Sequence, residues 1–280
     1  MNNKLKQKQF NKALFAWHNA HYRDMKWRNT RDAYKILISE IMLQQTQVDR
    51  VREKYALFLK QFPNVQTLAN APLGEVLRAW SGLGYNRRAK YLQLCAKKVV
   101  EVYGGKFPKT YEELIALPGI GMSTAGALLA FAYNEDTPMI DTNIRRILTR
   151  VFFKSKKVND KALYAFATTL IPKGQGRMWN YAMLDLGATL CTARNHGDDC
   201  PLEKLHGKVQ DFSYKKPQKK FVGSDRFYRG RILARLTQSS ASKNNLVNAL
   251  GIESELINRL LEKLLKEELI MTKRGRFRLP

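Results

Sequence analysis

The chain has 280 residues, 44% of them hydrophobic and 26% charged, which is the composition of an ordinary globular protein with a sizeable core. Its 49 Lys and Arg residues against 24 Asp and Glu residues give a formal net charge of +25, which favours a nucleic acid partner over a membrane surface. No run approaches about 18 apolar residues, and the polar N-terminus lacks a signal core, so we expect a cytoplasmic, nucleoid-associated protein.

The first part of the chain predicts a helical domain. Apolar residues recur at helical spacing with almost no alternation, as in Ile38, Ile41 and Met42, and a helix of small residues follows at 123–133. Glycines and prolines separate the predicted helices. We therefore assign residues 1–206 to an all-α first domain.

The end of the chain predicts a second, smaller domain. Residues 207–225 are basic and poor in apolar side chains, which indicates a linker. Beyond it, three predicted helices and two short apolar segments around Lys273-Arg274-Gly275 favour a winged helix-turn-helix over residues 226–280, a domain that would bind DNA or a protein partner. The alternative is a helical hairpin that only packs on the first domain.

A glycine-containing turn at residues 117–121 precedes the helix of small residues. Its proline excludes a helix interior, while Gly119 and Gly121 free the backbone to point amides at an anion. Ser123 or Thr124 can then cap the next helix. These N–H donors predict a phosphate site that contacts the nucleic acid backbone without reading bases, although such turns are also typical of purely structural loops.

Seven segments resemble those of the helix-hairpin-helix DNA glycosylases, and most of all those of the A/G-specific adenine DNA glycosylases of the MutY type. The matching segments are Trp27-Arg28, residues 39–48, Leu83-Gly84-Tyr85, residues 104–108, residues 117–127, residues 141–146 and residues 185–188. The resemblance implies a two-lobed, all-α glycosylase domain whose cleft lies beside Glu40, Ser123 and Asp141, followed here by a small winged-helix-like domain.

Two carboxylates are the predicted catalytic groups. Breaking an N-glycosidic bond requires a protonated leaving base and relief of the positive charge that grows on the sugar. Glu40 lies between Ile36 and Leu43 on an apolar stripe, so burial would raise its pKa and favour a protonated acid. Asp141 precedes a predicted helix, where local donors would keep it ionised. By residue type alone, the glutamate could be simply solvated and the aspartate simply a helix cap.

Ser123 distinguishes branches of the superfamily. The corresponding residue is a Schiff-base-forming lysine in the endonuclease III branch and usually a tyrosine in the thymine-mismatch branch, so the resemblance implies an adenine-directed enzyme without lyase activity. A serine that only caps a helix would look the same. The resemblance also implies that Ser123, Asn143, Trp27 and Arg28 belong to the base pocket.

The resemblance further implies a DNA-facing surface. Gln45 and Tyr85 match the family's inserting residues, which fill the gap left by an extruded nucleotide, and Leu43 is expected beside them. The other predicted DNA contacts are Arg87, Arg88, Gly119, Gly121 and Thr124. A run of charges such as residues 85–90 could also be only a solvated face.

The cysteines predict no cofactor. Cys95, Cys191 and Cys200 are too few for a disulfide framework, so we expect reduced thiols. Most of the family carries a four-cysteine iron-sulfur cluster after the position of Gly187, where this chain has only two cysteines, so we predict no cluster. Cys191, His196, Cys200 and His206 match no standard zinc spacing, and we predict no zinc.

These observations predict a monomeric, monofunctional DNA glycosylase of base excision repair. It would act on double-stranded DNA and remove a mispaired adenine opposite guanine or 8-oxoguanine, leaving an abasic site. The family's large domain that recognises 8-oxoguanine is replaced here by the short helical module, which leaves the opposing base open. The alternatives are a mismatch glycosylase for thymine, uracil or another altered base, and a non-catalytic DNA-binding protein.

Overall fold

The structure is a computed structural model that describes residues 3–192, 199–206 and 220–280. These residues form helices almost throughout, together with a two-stranded antiparallel hairpin near the C-terminus. The predicted fold class is therefore confirmed. No helix in the described part of the chain is long and apolar enough to cross a membrane. Most of the predicted basic linker, residues 207–219, lies outside the described residues.

The elements follow one another in chain order with short connections. The first part contains α1 (Asn3–His21), a 3-10 turn (Lys26–Arg28), α2 (Ala33–Leu43), α3 (Val48–Gln61), α4 (Val65–Asn70), α5 (Leu73–Ala79), α6 (Arg87–Tyr103), α7 (Tyr111–Ile115), α8 (Met122–Tyr133), α9 (Thr142–Phe152), α10 (Asp160–Leu170), α11 (Gly176–Thr189) and α12 (Glu203–His206). The last part contains α13 (Asp225–Gln238), α14 (Lys243–Leu250), α15 (Ser254–Lys266), β1 (Met271–Lys273) and β2 (Arg276–Arg278).

The described residues form two compact units that do not follow chain order. The first unit draws on the segments Met1–Ile36, Lys109–Ile115 and Ile120–Lys216, and the second on Leu37–Pro108, Ala116–Gly119 and Pro217–Pro280. The C-terminal helices thus pack in the same unit as α3 to α6. The predicted division into residues 1–206, a linker and residues 226–280 stays a prediction about the chain.

The first unit is built around α9 and α11, which pack on each other and on α1, α8 and α10. Phe10 and Trp179 are fully buried at its centre. Helix α8 is buried along most of its length because its side chains are small, and a Cβ at Gly126 would lie 2.5 Å from the Pro138 carbonyl oxygen. These small residues let neighbouring backbones approach closely, which explains the unusual composition of this helix.

The second unit packs α4 and α5 against α6. Its aromatic centre is Trp80, whose ring meets that of Phe58 edge-on with a centroid distance of 5.8 Å. Local signals define its helices: the Asn64 side chain accepts from the Thr67 amide to cap α4, and Gly104 ends α6 with a left-handed φ of 59°. Such caps satisfy amides and carbonyls that the helices leave unpaired.

The C-terminal module, residues 225–280, has the predicted winged-helix-like order of elements. Serines 224 and 242 cap α13 and α14, and Gly251 ends α14 in the left-handed conformation. Strands β1 and β2 pair around a two-residue turn in which Arg274 and Gly275 have φ of 51° and 68°. Positive φ at both positions matches the right-handed twist of a tight hairpin. The predicted wing is confirmed as this hairpin.

Candidate active site

Asp141 caps the N-terminus of α9 in the first unit. Its Oδ1 atom accepts from the Asn143 amide at 2.8 Å and from the Ile144 amide at 2.7 Å, and its Oδ2 atom accepts from the Asn143 side-chain amide at 3.0 Å. The carboxylate is only partly exposed. Three donors fix its orientation, and its place at a helix N-terminus favours the negative charge. The predicted cap is confirmed, while the catalytic role stays a prediction.

A second layer of side chains holds Asn143. Arg146 Nη2 donates to Asn143 Oδ1 at 2.7 Å and to the Gly187 carbonyl oxygen at 2.8 Å, so the asparagine amide nitrogen faces Asp141. A Cβ at Gly187 would lie 2.5 Å from the Asn143 Cβ, so a side chain there would displace the asparagine. The base-pocket prediction for Asn143 is untested, but the structure joins it directly to the candidate catalytic aspartate.

Two opposing influences act on the acidity of Asp141. Burial raises the pKa of the carboxyl above its ordinary value, and this effect prevails. The amides of Ile144 and Asn143 and the guanidinium of Arg146 lower the pKa, because they stabilise the ionised form. Burial disfavours the ionised form of Asp141, while the fixed donors stabilise it. A carboxylate in such surroundings interacts strongly with positive charge that develops nearby.

Ser123 lies in the first turn of α8, but it does not cap this helix. The N-cap is Gly121, which has extended backbone and no side chain to accept a hydrogen bond from the first amides of the helix. The expectation that Ser123 or Thr124 caps α8 is therefore wrong, because the helix begins at Met122. Ser123 is partly buried and Thr124 is buried. Their predicted contacts with base and DNA stay predictions.

The two hairpin glycines differ in what they do. Gly119 has φ of +78°, and a Cβ there would lie 2.8 Å from the Tyr91 Cβ, so this position requires glycine on two grounds. Gly121 has φ of −101°, which any residue adopts, and a Cβ there would meet nothing within 4 Å. The predicted conformational role therefore holds at Gly119 and not at Gly121.

Glu40 is buried in the second unit. It lies in α2, with 8% of its surface exposed, next to the fully packed Ser39 and one helical turn from the buried Ile36. The reading of Glu40 as a merely solvated helix residue is thus excluded, and the predicted burial is confirmed. Its role as an acid stays a prediction.

Gln45 and Tyr85 occupy two strained turns of the second unit, residues 43–46 and 83–85, which we call the candidate insertion turns. Both are exposed and have positive φ, 57° for Gln45 and 48° for Tyr85. Leu43, at the start of the first turn, is partly buried. Non-glycine residues with positive φ cost about 1 kcal/mol or more, so other contacts must hold these turns.

Arg88 supplies those contacts. Its Nη1 atom donates to the carbonyl oxygens of Ile41, Met42 and Gln44, and its Nη2 atom donates to Thr46 Oγ1 and to the carbonyl oxygens of Leu83 and Gly84, at distances of 2.6 to 3.1 Å. Burial lowers the pKa of this guanidinium to about 10, so it remains charged at neutral pH. Both Nη atoms of the guanidinium predicted to contact DNA are thus engaged with the two candidate insertion turns, whereas its buried Nε has no hydrogen-bond partner among the described residues.

Arg87 differs from its neighbour. It is exposed, and its Nη2 atom donates to the Tyr91 hydroxyl at 3.2 Å. That contact leaves most of the guanidinium facing solvent, as a phosphate ligand requires. The predicted DNA contact of Arg87 stays a prediction, and the structure distinguishes it from the internal role of Arg88.

Trp27 and Arg28 form the buried 3-10 turn of the first unit. Arg28 makes a bidentate pair with Asp185 at 2.8 and 2.7 Å, and its guanidinium lies 4.5 Å from the centroid of the Tyr181 ring. Asp185 is fully buried and also faces His18 at 3.5 Å. Burial lowers the pKa of His18. The predicted base-pocket residue Arg28 is therefore one half of a buried ion pair.

The sequence analysis assigned no role to Asp185 or His18. The available signal was a charged residue on α11 one turn from the apolar Tyr181 and Ala182, which indicates a buried pair rather than a solvated group. Next to this pair lies a cavity of about 470 Å³, lined by His18, Asn19, Tyr22, Arg28, Asn134, Gly174, Gln175, Arg177, Met178 and Tyr181.

The cysteines of the first unit pack into its core. Arg150 Nη1 donates to Cys191 Sγ at 3.1 Å, and Cys200 Sγ lies 3.8 Å from His206 Nε2. Burial raises the pKa of the Cys200 thiol to about 11. The described residues contain no group of three or more His, Cys, Asp or Glu side chains that could hold a metal ion. His196 lies outside the described residues.

Comparison with known proteins identifies the family. The model of the HhH-GPD superfamily base excision DNA repair protein matches residues 38–173. The chain is 34% identical over 280 residues to an adenine DNA glycosylase of Mycobacterium tuberculosis, and the alignment covers 95% of this chain and 92% of that protein. The chain belongs to the HhH-GPD superfamily of base excision DNA repair proteins and, within it, to the adenine DNA glycosylase family.

Two further comparisons show how much of the chain its relatives share. The chain is 36% identical over 228 residues to an adenine DNA glycosylase of Buchnera aphidicola subsp. Baizongia pistaciae, and the match covers 78% of this chain but only 65% of that protein's length. A solved structure of a thermostable thymine-DNA glycosylase is 31% identical, with a TM-score of 0.70, covering 74% of this chain and 98% of the other. The superfamily fold predicted from sequence is confirmed.

Proposed function

We propose that this protein is a monofunctional adenine DNA glycosylase of base excision repair. It hydrolyses the N-glycosidic bond of an adenine mispaired with guanine or 8-oxoguanine, releasing free adenine and leaving an abasic site. The observation that carries the proposal is Asp141: a carboxylate held by three donors at a helix N-terminus, in a chain whose similarity to adenine DNA glycosylases extends over nearly the whole length of a relative. The proposal puts the enzyme in the cytoplasm, at the nucleoid.

The two carboxylates divide the chemistry. Glu40, buried on α2, donates a proton to a purine ring nitrogen and so improves the leaving group. As the bond between the sugar and the base breaks, positive charge grows on the sugar, and the ionised Asp141 offsets it. One water molecule then adds to the sugar carbon, and the proton that it gives up restores the protonated form of Glu40. No step requires a metal or another cofactor, and we propose that the enzyme uses none.

Absence of lyase activity follows from Ser123. Strand cleavage through a Schiff base requires an amine that attacks the sugar carbon, and a serine hydroxyl cannot form an imine. The product is therefore an intact strand with an abasic site. Arg28, Trp27, Ser123 and Asn143 are proposed to surround the extruded base.

The net charge of +25 favours binding to the phosphates of double-stranded DNA, with affinity that falls steeply as salt rises. The hairpin amides around Gly119 and Gly121, Thr124 and the exposed Arg87 are proposed backbone contacts. Gln45 and Tyr85, with Leu43 beside them, are proposed to fill the gap left in the duplex. Arg88 we propose as a positioning residue for both turns, in place of a phosphate ligand.

A second candidate is a mismatch glycosylase for thymine or uracil. The structural similarity to a thymine-DNA glycosylase at 31% identity favours it. Ser123 counts against it, because the corresponding residue in that branch is usually tyrosine. The substrate base therefore has to be identified directly.

The decisive experiment identifies the released base. Purified protein in excess is mixed with duplexes that carry adenine opposite guanine, 8-oxoguanine, cytosine or thymine, or thymine or uracil opposite guanine, and free bases are measured by mass spectrometry. We expect adenine from the guanine and 8-oxoguanine duplexes, with strand breaks only after alkali. Release of a pyrimidine would establish the mismatch enzyme. Tight binding without any release would establish a non-catalytic DNA-binding protein.

A further inference from the structure

The C-terminal module is joined to the helices of its own compact unit by specific contacts. The Gly74 amide donates to the Pro280 carbonyl oxygen at 3.0 Å, and a Cβ at Gly74 would lie 2.3 Å from that oxygen. Lys90 donates to the Glu267 carbonyl oxygen at 2.9 Å and pairs with Glu268 at 2.7 Å. The module is therefore attached directly to α5 and α6.

The first turn of α13 reaches one of the candidate insertion turns. Arg226 Nη1 donates to the Tyr85 hydroxyl oxygen at 2.7 Å, and its guanidinium carbon lies 5.9 Å from the centroid of the Tyr85 ring. Arg88 contacts the same ring at 5.5 Å. Two guanidinium groups that are far apart in the sequence thus contact the ring of Tyr85, a residue that keeps 39% of its surface exposed.

Helix α15 offers less to DNA than the charge of the module suggests. This helix corresponds to the recognition helix of a winged helix-turn-helix, but two of its three cations, Arg259 and Lys263, share one carboxylate, that of Asp225. Glu255 and Glu262 are exposed on the same helix. The shared carboxylate and the exposed glutamates reduce the positive charge that this face can offer to phosphates. The contact between Arg226 and Tyr85 therefore connects the module to a residue that is proposed to enter the duplex. It is a better candidate for a role in DNA binding than base reading by α15.

We infer that Arg226 is a positioning residue for Tyr85, through which the C-terminal module takes part in extruding the target nucleotide. This inference rests on the proposed function, because nucleotide extrusion belongs to that reaction. A strained, exposed tyrosine has several side-chain orientations available, and fixing one of them before DNA arrives removes an ordering cost from the insertion step. Arg226 fixes the ring by holding its hydroxyl from one side while Arg88 supports the turn beneath it.

The test measures insertion separately from excision. A fluorescent 2-aminopurine is placed beside an adenine paired with guanine, and the full-length protein is mixed with this duplex in a stopped-flow instrument, so that the rise in fluorescence reports local unstacking. The variants are Arg226→Ala, Arg226→Lys, Tyr85→Phe and the double variant Arg226→Ala/Tyr85→Phe. Arg235→Ala is the matched control: it removes one cation from the same helix, where the Arg235 guanidinium donates to the carbonyl and hydroxyl oxygens of Ser239.

We expect Arg226→Ala and Tyr85→Phe each to slow unstacking about tenfold, the loss for one charged hydrogen bond, and the double variant to be no slower than either. Arg226→Lys, which can still donate to the hydroxyl, should recover most of the rate. Arg235→Ala should match the wild type. Equal rates for Arg226→Ala and Arg235→Ala, or additive effects in the double variant, would overturn the inference.

The failure of this inference can be distinguished from failure of the proposed function. If the wild type unstacks the duplex with the expected dependence on Arg226 but releases no adenine, the proposed function fails and the positioning role stands. If the wild type releases adenine and Arg226→Ala unstacks at the wild-type rate, the positioning role fails and the function stands. A wild type that does not unstack the duplex at all would also refute the positioning role.

Discussion

The surroundings of Asp141 and the candidate insertion turns are held in place in opposite ways. Asp141 is fixed by amides two and three residues further along the chain, so its geometry is a local property of the start of α9. The turns around Gln45 and Tyr85 are strained and depend on guanidinium groups from Arg88 and from the distant C-terminal module. The carboxylate proposed for catalysis is thus held by neighbouring residues, whereas the turns proposed for nucleotide extrusion also need contacts from residues far away in the sequence.

Substitutions can disrupt the carboxylates and the turns separately. Changes at the candidate catalytic carboxylates should abolish base release and leave DNA binding intact. Changes at the supports of the turns should slow extrusion and lower stability.

The largest effect is expected for Glu40→Gln. An amide cannot donate a proton to the leaving base, so single-turnover release of adenine should fall by about 10² to 10⁴ fold, the usual contribution of a general acid. The dissociation constant for the duplex should stay close to the wild-type value. Glu53→Gln, an exposed glutamate on α3, is the matched control and should leave the rate unchanged. A rate near wild type in Glu40→Gln would remove Glu40 from the mechanism.

Ser123→Lys should add an activity. An amine at this position of α8 can attack the sugar carbon and form a Schiff base, which leads to strand cleavage. We expect breaks without alkali and a covalent protein–DNA complex after borohydride treatment, neither of which the wild type should give. Ser123→Ala controls for loss of the hydroxyl and should also give neither. Borohydride trapping of the wild type would contradict the monofunctional assignment.

Arg88→Lys should weaken the candidate insertion turns while keeping the charge. One ammonium has three donors and cannot bridge the six oxygens that the guanidinium now contacts. We expect a loss of stability of about 2 kcal/mol, seen as a lower melting temperature, and slower unstacking of a 2-aminopurine duplex. Arg87→Lys changes the exposed neighbour in the same way and should leave the melting temperature unchanged. Equal melting temperatures for the two variants would show that Arg88 does not hold the turns.

The smallest effect is expected at the hairpin glycines. Gly119→Ala places a Cβ 2.8 Å from that of Tyr91 in a backbone conformation with φ of +78°, and it should cost roughly 1 to 2 kcal/mol and weaken DNA binding. Gly121→Ala meets open space and should be nearly neutral in stability. Melting curves and DNA titrations of the two variants test this difference. Equal losses would mean that the conformation of Gly119 is not what the hairpin requires.

Local features of the sequence were enough to predict the Asp141 cap, the buried stripe of Glu40 and the order of helices and strands in the C-terminal module. Each depends on residues within a few positions of one another, or on the period of apolar side chains. The same kind of reasoning wrongly predicted Ser123 or Thr124 as the cap of α8. Both side chains have a capping oxygen, but the helix begins earlier, at Met122, directly after Gly121.

Long-range pairings could not be predicted from the sequence. Arg28 and Asp185 are 157 residues apart, and Arg226 and Tyr85 are 141 residues apart. Arginine in a basic segment is equally suited to phosphates and to carbonyl oxygens, and only the fold decides which it meets. Arg88 illustrates this point, since its neighbour Arg87 has the same charge and the same predicted role but faces solvent.

The most direct test of the account measures extrusion and base release together in Asp141→Asn. The variant is mixed with a duplex carrying adenine opposite guanine and a neighbouring 2-aminopurine, and fluorescence and free adenine are followed in parallel. Asp160→Asn, another aspartate at the start of a helix in the first unit, is the control. We predict wild-type unstacking with adenine release reduced at least about 10²-fold, because the neutral amide cannot offset the charge on the sugar. Release of adenine at the wild-type rate would contradict the account.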